Sequence, residues 1–397
     1  GGGVAGCSAA RSLAIHDSAA KVTVYEIGRG PGGRASTRKS RSIPDMRINH
    51  GAPFADIVTS AGLELAMDLE LTPFQGVHGH LDSSSGAFTP STAGNDDEVL
   101  RVTGGNNEMS NLASSLLDIN TTPSGSTCTP STSITTRYSS MVRGLSRNVD
   151  DGRWQLHDKS GDLIGVADWL VVAGSGVAHP RWTATFGGDP PLVAEAMNLN
   201  DEMLNDALAS IALQEASPVL AVFFYCTGEA AAQWSDLRFN VGELRDNSVL
   251  SKIIVQPNEA KGCSVVLHST TAFAQTNTGV YGSSSSAARV GDASSDSSRE
   301  DTIIGKLLQA LSEIPGMPTV AVAADNPNCG YGPLLHRWGN AFPNGNPLPE
   351  GLTLCPSSRV GFCGDYTETS ARMGSIESAL LSGTSVGVRI AQLAKTN

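Results

Sequence analysis

Three glycines open the chain in the pattern Gly1-x-Gly3-x-x-Gly6, and a carboxylate, Glu26, follows 20 residues after the last of them. This spacing suits a dinucleotide. Gly1 permits a tight turn, Gly3 lets the backbone approach a pyrophosphate, and Gly6 lets a helix pack closely on a sheet. The first backbone N–H groups of that helix, aided by its dipole, face the anion. A carboxylate about 20 residues on, at a strand end, is placed to accept hydrogen bonds from a ribose. The glycine pattern alone also occurs in ordinary turns; its position at a helix start, with Glu26, is what makes it a binding loop.

A second glycine-rich stretch, Arg29-Gly30-Pro31-Gly32-Gly33-Arg34, follows Glu26 almost at once. Glycines let the backbone lie against a phosphate chain, and the Arg34 guanidinium offers a charge-assisted fork. The competing reading is a flexible basic loop. A nicotinamide dehydrogenase has no use for a second phosphate clamp here, so the pair of loops favours FAD. Near the other end, Gly364-Asp365 closes an expected strand and Arg372-Met373-Gly374-Ser375-Ile376-Glu377 begins the last helix. Asp365 is expected to face ribityl hydroxyls. The amides around Ser375 and Ile376 are expected at the O2 and N1 edge of a flavin, where a helix N-terminus favours the anionic reduced ring.

Elements must hold these pieces. Small and apolar residues at helical spacing (Ala5, Ala9, Leu13) predict a helix over 4–15, and Val22-Thr23-Val24-Tyr25 a short buried strand. Helices are expected over 63–71, 107–117, 207–213 and 302–314. A hairpin is expected over 154–166, and strands over 168–173, 219–225, 264–268 and 359–363. Ile376, Leu380, Gly383, Val386, Ile390 and Leu393 fall on one face of a last helix. Two polar tracts, 121–133 and 283–298, lack apolar periodicity and are read as loops or insertions. The chain begins inside its own fingerprint, so the leading strand is expected to be missing at the N-terminus, and targeting is not legible.

With 397 residues, 40% hydrophobic, the chain is long enough for two domains. A net charge of −12 disfavours nucleic acid and anionic membranes as partners. No run of about 18 apolar residues predicts a membrane span. Seven scattered cysteines without a Cys-x-x-Cys pair favour a reducing compartment and no zinc site.

In this order the pieces resemble the renalase-like branch of the FAD-dependent amine oxidase superfamily. The stretches that carry the resemblance are 1–6, 22–37, Asn49-His50-Gly51-Ala52-Pro53-Phe54, 105–112, His336-Arg337-Trp338-Gly339-Asn340-Ala341 and 364–383. The resemblance implies an α/β fold: a Rossmann-type FAD-binding domain like that of p-hydroxybenzoate hydroxylase, beside an antiparallel-sheet α+β substrate domain. The FAD domain would be discontinuous (1–62, 102–185, 325–397), with the substrate domain from 63–101 and 186–324. FAD would be non-covalent, held by Gly1, Gly3, Gly6, Glu26, Gly32, Gly33, Arg34, Gly51, Gly364, Asp365, Ser375 and Ile376. The implied chemistry is hydride transfer from a small reduced substrate, such as an isomeric dihydronicotinamide dinucleotide, to flavin N5, with O2 as acceptor. No catalytic acid or base is required. His50, Phe54 and Trp338 are candidates for the flavin face. His50 is equally readable as a hydrogen-bonded structural histidine, and Trp338 as core. Arg337 is read as an ion pair with a surface acid more readily than as an anchor for an anionic substrate, and His268 as a strand-end histidine with a backbone partner. An amine oxidase or desaturase acting on a larger apolar substrate remains an alternative, against which the 5% aromatic content weighs. So does a flavin-binding protein without turnover.

Overall fold

The computed structural model describes residues 1–91, 99–119, 133–319 and 329–396. The opening glycines run into the helix Val4–His16, which packs along the last helix, Ile376–Thr396. Small residues set the distance between them. A Cβ on Gly383 would lie 2.2 Å from the Ala5 carbonyl oxygen, and one on Gly387 2.6 Å from that of Ala9. Ser8 Oγ donates across the crossing to the Leu380 carbonyl at 2.8 Å.

The strands beside these helices are parallel, as a Rossmann arrangement requires. Lys21–Tyr25 pairs with Ser133–Arg137, and Leu170–Ala173 with Val360–Cys363, which adds Leu354–Cys355 antiparallel. They stand in two separate sheets, and both Lys21–Tyr25 and Leu170–Ala173 border one large cavity. The strand over 22–25, expected to be buried, is therefore half-open; only Val24 is buried. The expected hairpin is present as Trp154–His157 with Leu163–Ala167, extended by Gly144–Arg147.

The second layer is a seven-stranded sheet. Its second strand, Glu215–Cys226, lies between the edge strand Cys329–Asn344 and Cys263–Ser269, beyond which Leu250–Pro257, Val241–Glu243, His78–Leu81 and Phe88–Pro90 follow in order. Alternation along Glu215–Cys226 decides the two faces. Leu220, Val222 and Phe224 join a core with Trp234, Leu307 and Leu311, from the helices Gly228–Ser235 and Ser297–Ser312. Ala221, Phe223 and Tyr225 face the other way, against Met46 and Ile48.

Several expectations shift. Cys329–Asn344 belongs by hydrogen bonding to the large sheet, although the range 325–397 was assigned to the FAD domain. The helices Pro191–Ala196 and Glu202–Ala212 pack with Trp154 and Phe362 on the nucleotide-binding side, although 186–324 was assigned to the substrate domain. Within 283–298, read as a loop, lies the four-residue helix Ser286–Arg289, and Ser297 starts a long one. Of the tract 121–133, only Ser133 is among the described residues, and it opens a strand. Among the described residues Arg337 makes no ion pair: it donates at 3.0 Å to the carbonyls of Ala274 and Asn277, at the C-terminal end of the helix Thr271–Thr276, where a cation offsets the helix dipole. Among the described residues, no helix is long and apolar enough to cross a membrane, and no cluster of three metal-ligating side chains occurs.

The close crossing of the first and last helices yields a test. Gly383→Val should force them apart and cost roughly 1–3 kcal/mol, the usual range for overpacking. Chemical denaturation measures this; an unchanged midpoint would show the crossing to be slack.

Candidate functional site

Gly3, in extended conformation, is the N-cap of Val4–His16 and offers no side chain to it. The first amides of the helix therefore have no intrahelical acceptor and remain available to an anion. A Cβ on Gly6 would lie 2.0 Å from the Gly1 carbonyl oxygen, so only glycine lets the turn close on itself. The second glycine loop docks on the first. Gly32 N donates to Gly2 O at 2.8 Å, and Gly3 and Gly32 form an isolated bridge. Gly32 has φ +122°, and a Cβ there would lie 2.7 Å from Ala35 O. Glu26 staples the arrangement, accepting from Gly2 N at 2.7 Å and Gly28 N at 2.6 Å.

Arg34 and Asp365, expected to clamp a phosphate and a ribityl chain separately, are partners. The guanidinium grips the carboxylate with both arms at 2.6 and 2.5 Å and donates to the Ala341 carbonyl at 2.9 Å. Asp365 is buried while Arg34 is partly open, so the cation still faces outward with N–H groups to spare. Asp365 O accepts from Gly374 N at 2.8 Å, which fixes the turn entering the last helix; there Ser375 Oγ accepts from Ser378 N.

The flavin-face candidates separate. Phe54 and Trp338 line the cavity, as does Gly51. A Cβ on Gly51 would lie 2.1 Å from Arg34 O and 3.2 Å from the Trp338 ring, so the backbone there is pressed between them. The His50 ring points away from the cavity, among Phe223, His336 and Trp338, with centroids 5.1–5.2 Å apart. Its carbonyl is what matters: it accepts from Trp338 Nε1 at 3.2 Å and His268 Nε2 at 3.1 Å. His268, the last residue but one of its strand, thus has the backbone partner expected of it.

One cavity of about 1540 Å³ joins these groups. All twelve residues expected to hold the cofactor border it, as do Phe54 and Trp338 among the flavin-face candidates. Three features fit a dinucleotide: glycine cradles that any side chain would fill, an open helix N-terminus, and a lining residue, Asn340, whose buried Oδ1 has no hydrogen-bond partner among the described residues. Asn340, two residues beyond Trp338 on the same strand face, was quoted in the sequence without a role; period-two alternation was the available signal. Lys252 also lines the cavity, on a strand the sequence reading did not assign.

Residues 1–57 match the family of NAD(P)-binding Rossmann-like domains. No curated protein matches the sequence. Among solved structures, the chain is similar over 99% of its length to a protein named as a protoporphyrinogen oxidase from Exiguobacterium sp. 255-15, at 10% identity, 98% coverage of that chain and a TM-score of 0.59. It is similar over its whole length to cyclohexylamine oxidase from Brevibacterium oxydans IH-35A (12% identity, 98% of that chain, TM-score 0.56). It is similar in the same way to a putrescine oxidase variant redesigned in cofactor binding (14%, 98%, 0.55). At such identities these likenesses establish the fold: a mixed α/β chain in which a Rossmann-like nucleotide-binding domain meets a multi-stranded sheet.

The buried histidines make the protein acid-sensitive. Burial, reinforced by the Arg38 guanidinium, pushes His336 down to about 3; burial with Lys252 nearby pushes His268 down to about 4; burial and His336 hold His50 well below the imidazole range. All three stay neutral in the folded protein. In the unfolded chain they take up protons near pH 6.5, so the folded state loses stability as pH falls from about 6.5 towards 4. The melting temperature should therefore drop between about pH 7 and pH 5, before most carboxylates titrate, and His336→Leu should flatten that slope. Equal slopes in the two proteins would remove His336 from the account.

Proposed function

We propose that the chain is an FAD-dependent oxidoreductase of the renalase-like kind, in which FAD lies non-covalently in the large cavity and takes a hydride from a small reduced donor. The observation that carries the reading is that Gly1, Gly3, Gly6, Glu26, Gly32, Gly33, Arg34, Gly51, Gly364, Asp365, Ser375 and Ile376, drawn from segments remote in sequence, border one continuous cavity. The fold shared with oxidases of amines and porphyrinogens is consistent with it.

When bound, the flavin supplies a two-electron acceptor whose reduced form returns electrons to O2. The chain's own residues do the rest. The open amides after Gly3 bind the pyrophosphate, and the outward N–H groups of Arg34 add positive charge beside it. Glu26, already accepting two backbone N–H groups, uses its remaining lone pairs for the ribose. The amide at Ile376 stabilises negative charge at the ring edge, while that of Ser375 donates to the Arg372 carbonyl at 3.1 Å and shapes the turn. Gly51, held by the bonded His50 carbonyl, and the rings of Phe54 and Trp338 wall the donor's side and exclude water. For hydride transfer this positioning is the protein's main contribution; no side chain must abstract a proton from carbon.

The purified protein should be yellow and release FAD on denaturation. A colourless protein that FAD cannot reconstitute would refute the cofactor. Glu26→Ala should weaken FAD retention by about tenfold or more, the loss of one to two charged hydrogen bonds. Because Glu26 also staples two loops, the melting temperature of the apoprotein should be measured alongside: equal FAD affinity with a lowered melting temperature would leave Glu26 a structural role only. Anaerobic mixing with dihydronicotinamide isomers should bleach the flavin, and mixing with alkylamines should not. The reverse result establishes an amine oxidase, and bleaching by neither a flavin binder without this turnover.

A further inference from the structure

One face of the seven-stranded sheet carries a row of polar residues in register. Glu243 pairs with Lys252, Lys252 with His268, His268 with Ala221, and Ala221 with His336, across five strands. Residues directly opposite one another on paired strands project to the same side. Of this row, Lys252 and His268 line the large cavity, beside Trp338 and Val219. Ala221, next in the row, is too small to crowd them.

The hydrogen bond of His268 fixes its chemistry. Nε2 lies 3.1 Å from the His50 carbonyl oxygen, which can only accept, so the neutral ring carries its proton on Nε2. Nδ1 is then a bare lone pair. It has no hydrogen-bond partner among the described residues, and the residue lines the cavity. Lys252 Nζ spends one of its three donors on Glu243, at 3.2 Å, and keeps the others.

We infer that Lys252 and His268 form a donor–acceptor clamp for the head group of the substrate, which must offer an oxygen to the ammonium and an N–H or O–H to the imidazole, and must not be a cation. A primary amide or a hydroxy-carbonyl meets both demands. An alkylammonium meets neither: it brings a like charge beside Lys252, which costs free energy in a cavity poor in water. The nearby aromatic walls, Phe54 and Trp338, suit a flat group next to that head. This assignment rests on the reading of the cavity as the donor site of a flavin-dependent oxidoreductase, and narrows its substrate to uncharged polar head groups.

The test uses the purified full chain and three flat probes of one size: benzamide, benzoate and benzylamine. Calorimetry should give benzamide the tightest binding and benzylamine at least about tenfold weaker, one hydrogen-bonded contact's worth. Lys252→Met and His268→Phe should each weaken benzamide by a similar factor and leave benzylamine no tighter than benzamide. Benzylamine binding as well as benzamide overturns the inference, as does benzamide binding unchanged in both variants. Since His268→Phe also removes a donor from the His50 carbonyl and can disturb folding, nitrogen-15 spectra of the histidines in the unmodified protein give a second reading. A proton on Nε2 of His268 supports the clamp; a proton on Nδ1 overturns it. The flavin absorbance of the same sample is recorded separately, so a colourless protein that still prefers benzamide would refute the cofactor without touching the clamp.

Discussion

Everything at the cavity depends on how closely backbone can approach backbone. Gly383 and Gly387 let the last helix lie on the carbonyls of Ala5 and Ala9, and Gly3 and Gly33 let one loop lie on another. Glycine costs conformational entropy on folding, so its concentration here marks places where a Cβ would cost more. The return is geometric. A helix seated this deeply delivers its open N–H groups to the cavity, and the last helix delivers the turn at Gly374–Ile376 from the opposite side. The two ends of the chain thus build one site, and its parts share a single positional error.

Charge is distributed with the same economy. The chain is strongly acidic, with a net charge of −12, and the guanidinium that closes the second glycine loop, Arg34, is held by the buried Asp365. Removing either partner would leave an uncompensated charge, which is far costlier than replacing both. The pair therefore works as a hinge pin between the loop after the first strand and the loop before the last helix. Its bidentate geometry orients the guanidinium, and a bound diphosphate would meet a cation already immobilised, with little further entropy to lose.

The sequence made the glycine loops, Glu26, Arg34, Asp365 and the first and last helices legible because each is a local pattern with fixed spacing. What it hid is non-local. The strand Ser133–Arg137 emerges from a polar tract and is defined by its partner, Lys21–Tyr25, over a hundred residues away. Cys329–Asn344 contains Gly330, Gly332, Pro333 and Gly339, which read as loop; the neighbouring strand Glu215–Cys226 overrides that propensity. His50 was a candidate for the flavin face because Asn49 before it and Gly51 after it allow its backbone a close approach. Its ring packs instead against Phe223 and Trp338, partners from distant strands that no local pattern reveals.

The strand Glu215–Cys226 decides what the large sheet presents to the cavity. Its even-numbered positions, Leu220, Val222 and Phe224, are spent on a core closed by helices. Its odd-numbered positions face the nucleotide-binding side, where Phe223 and Tyr225 fill space against Met46 and Ile48 but Ala221 does not. Opposite Ala221 on the flanking strands stand His268 and His336, whose rings take the room it leaves. The small side chain of Ala221 leaves the His268 ring room on that face, and the bond from its Nε2 to the His50 carbonyl at 3.1 Å ties the sheet to the Asn49–Gly51 backbone that borders the cavity.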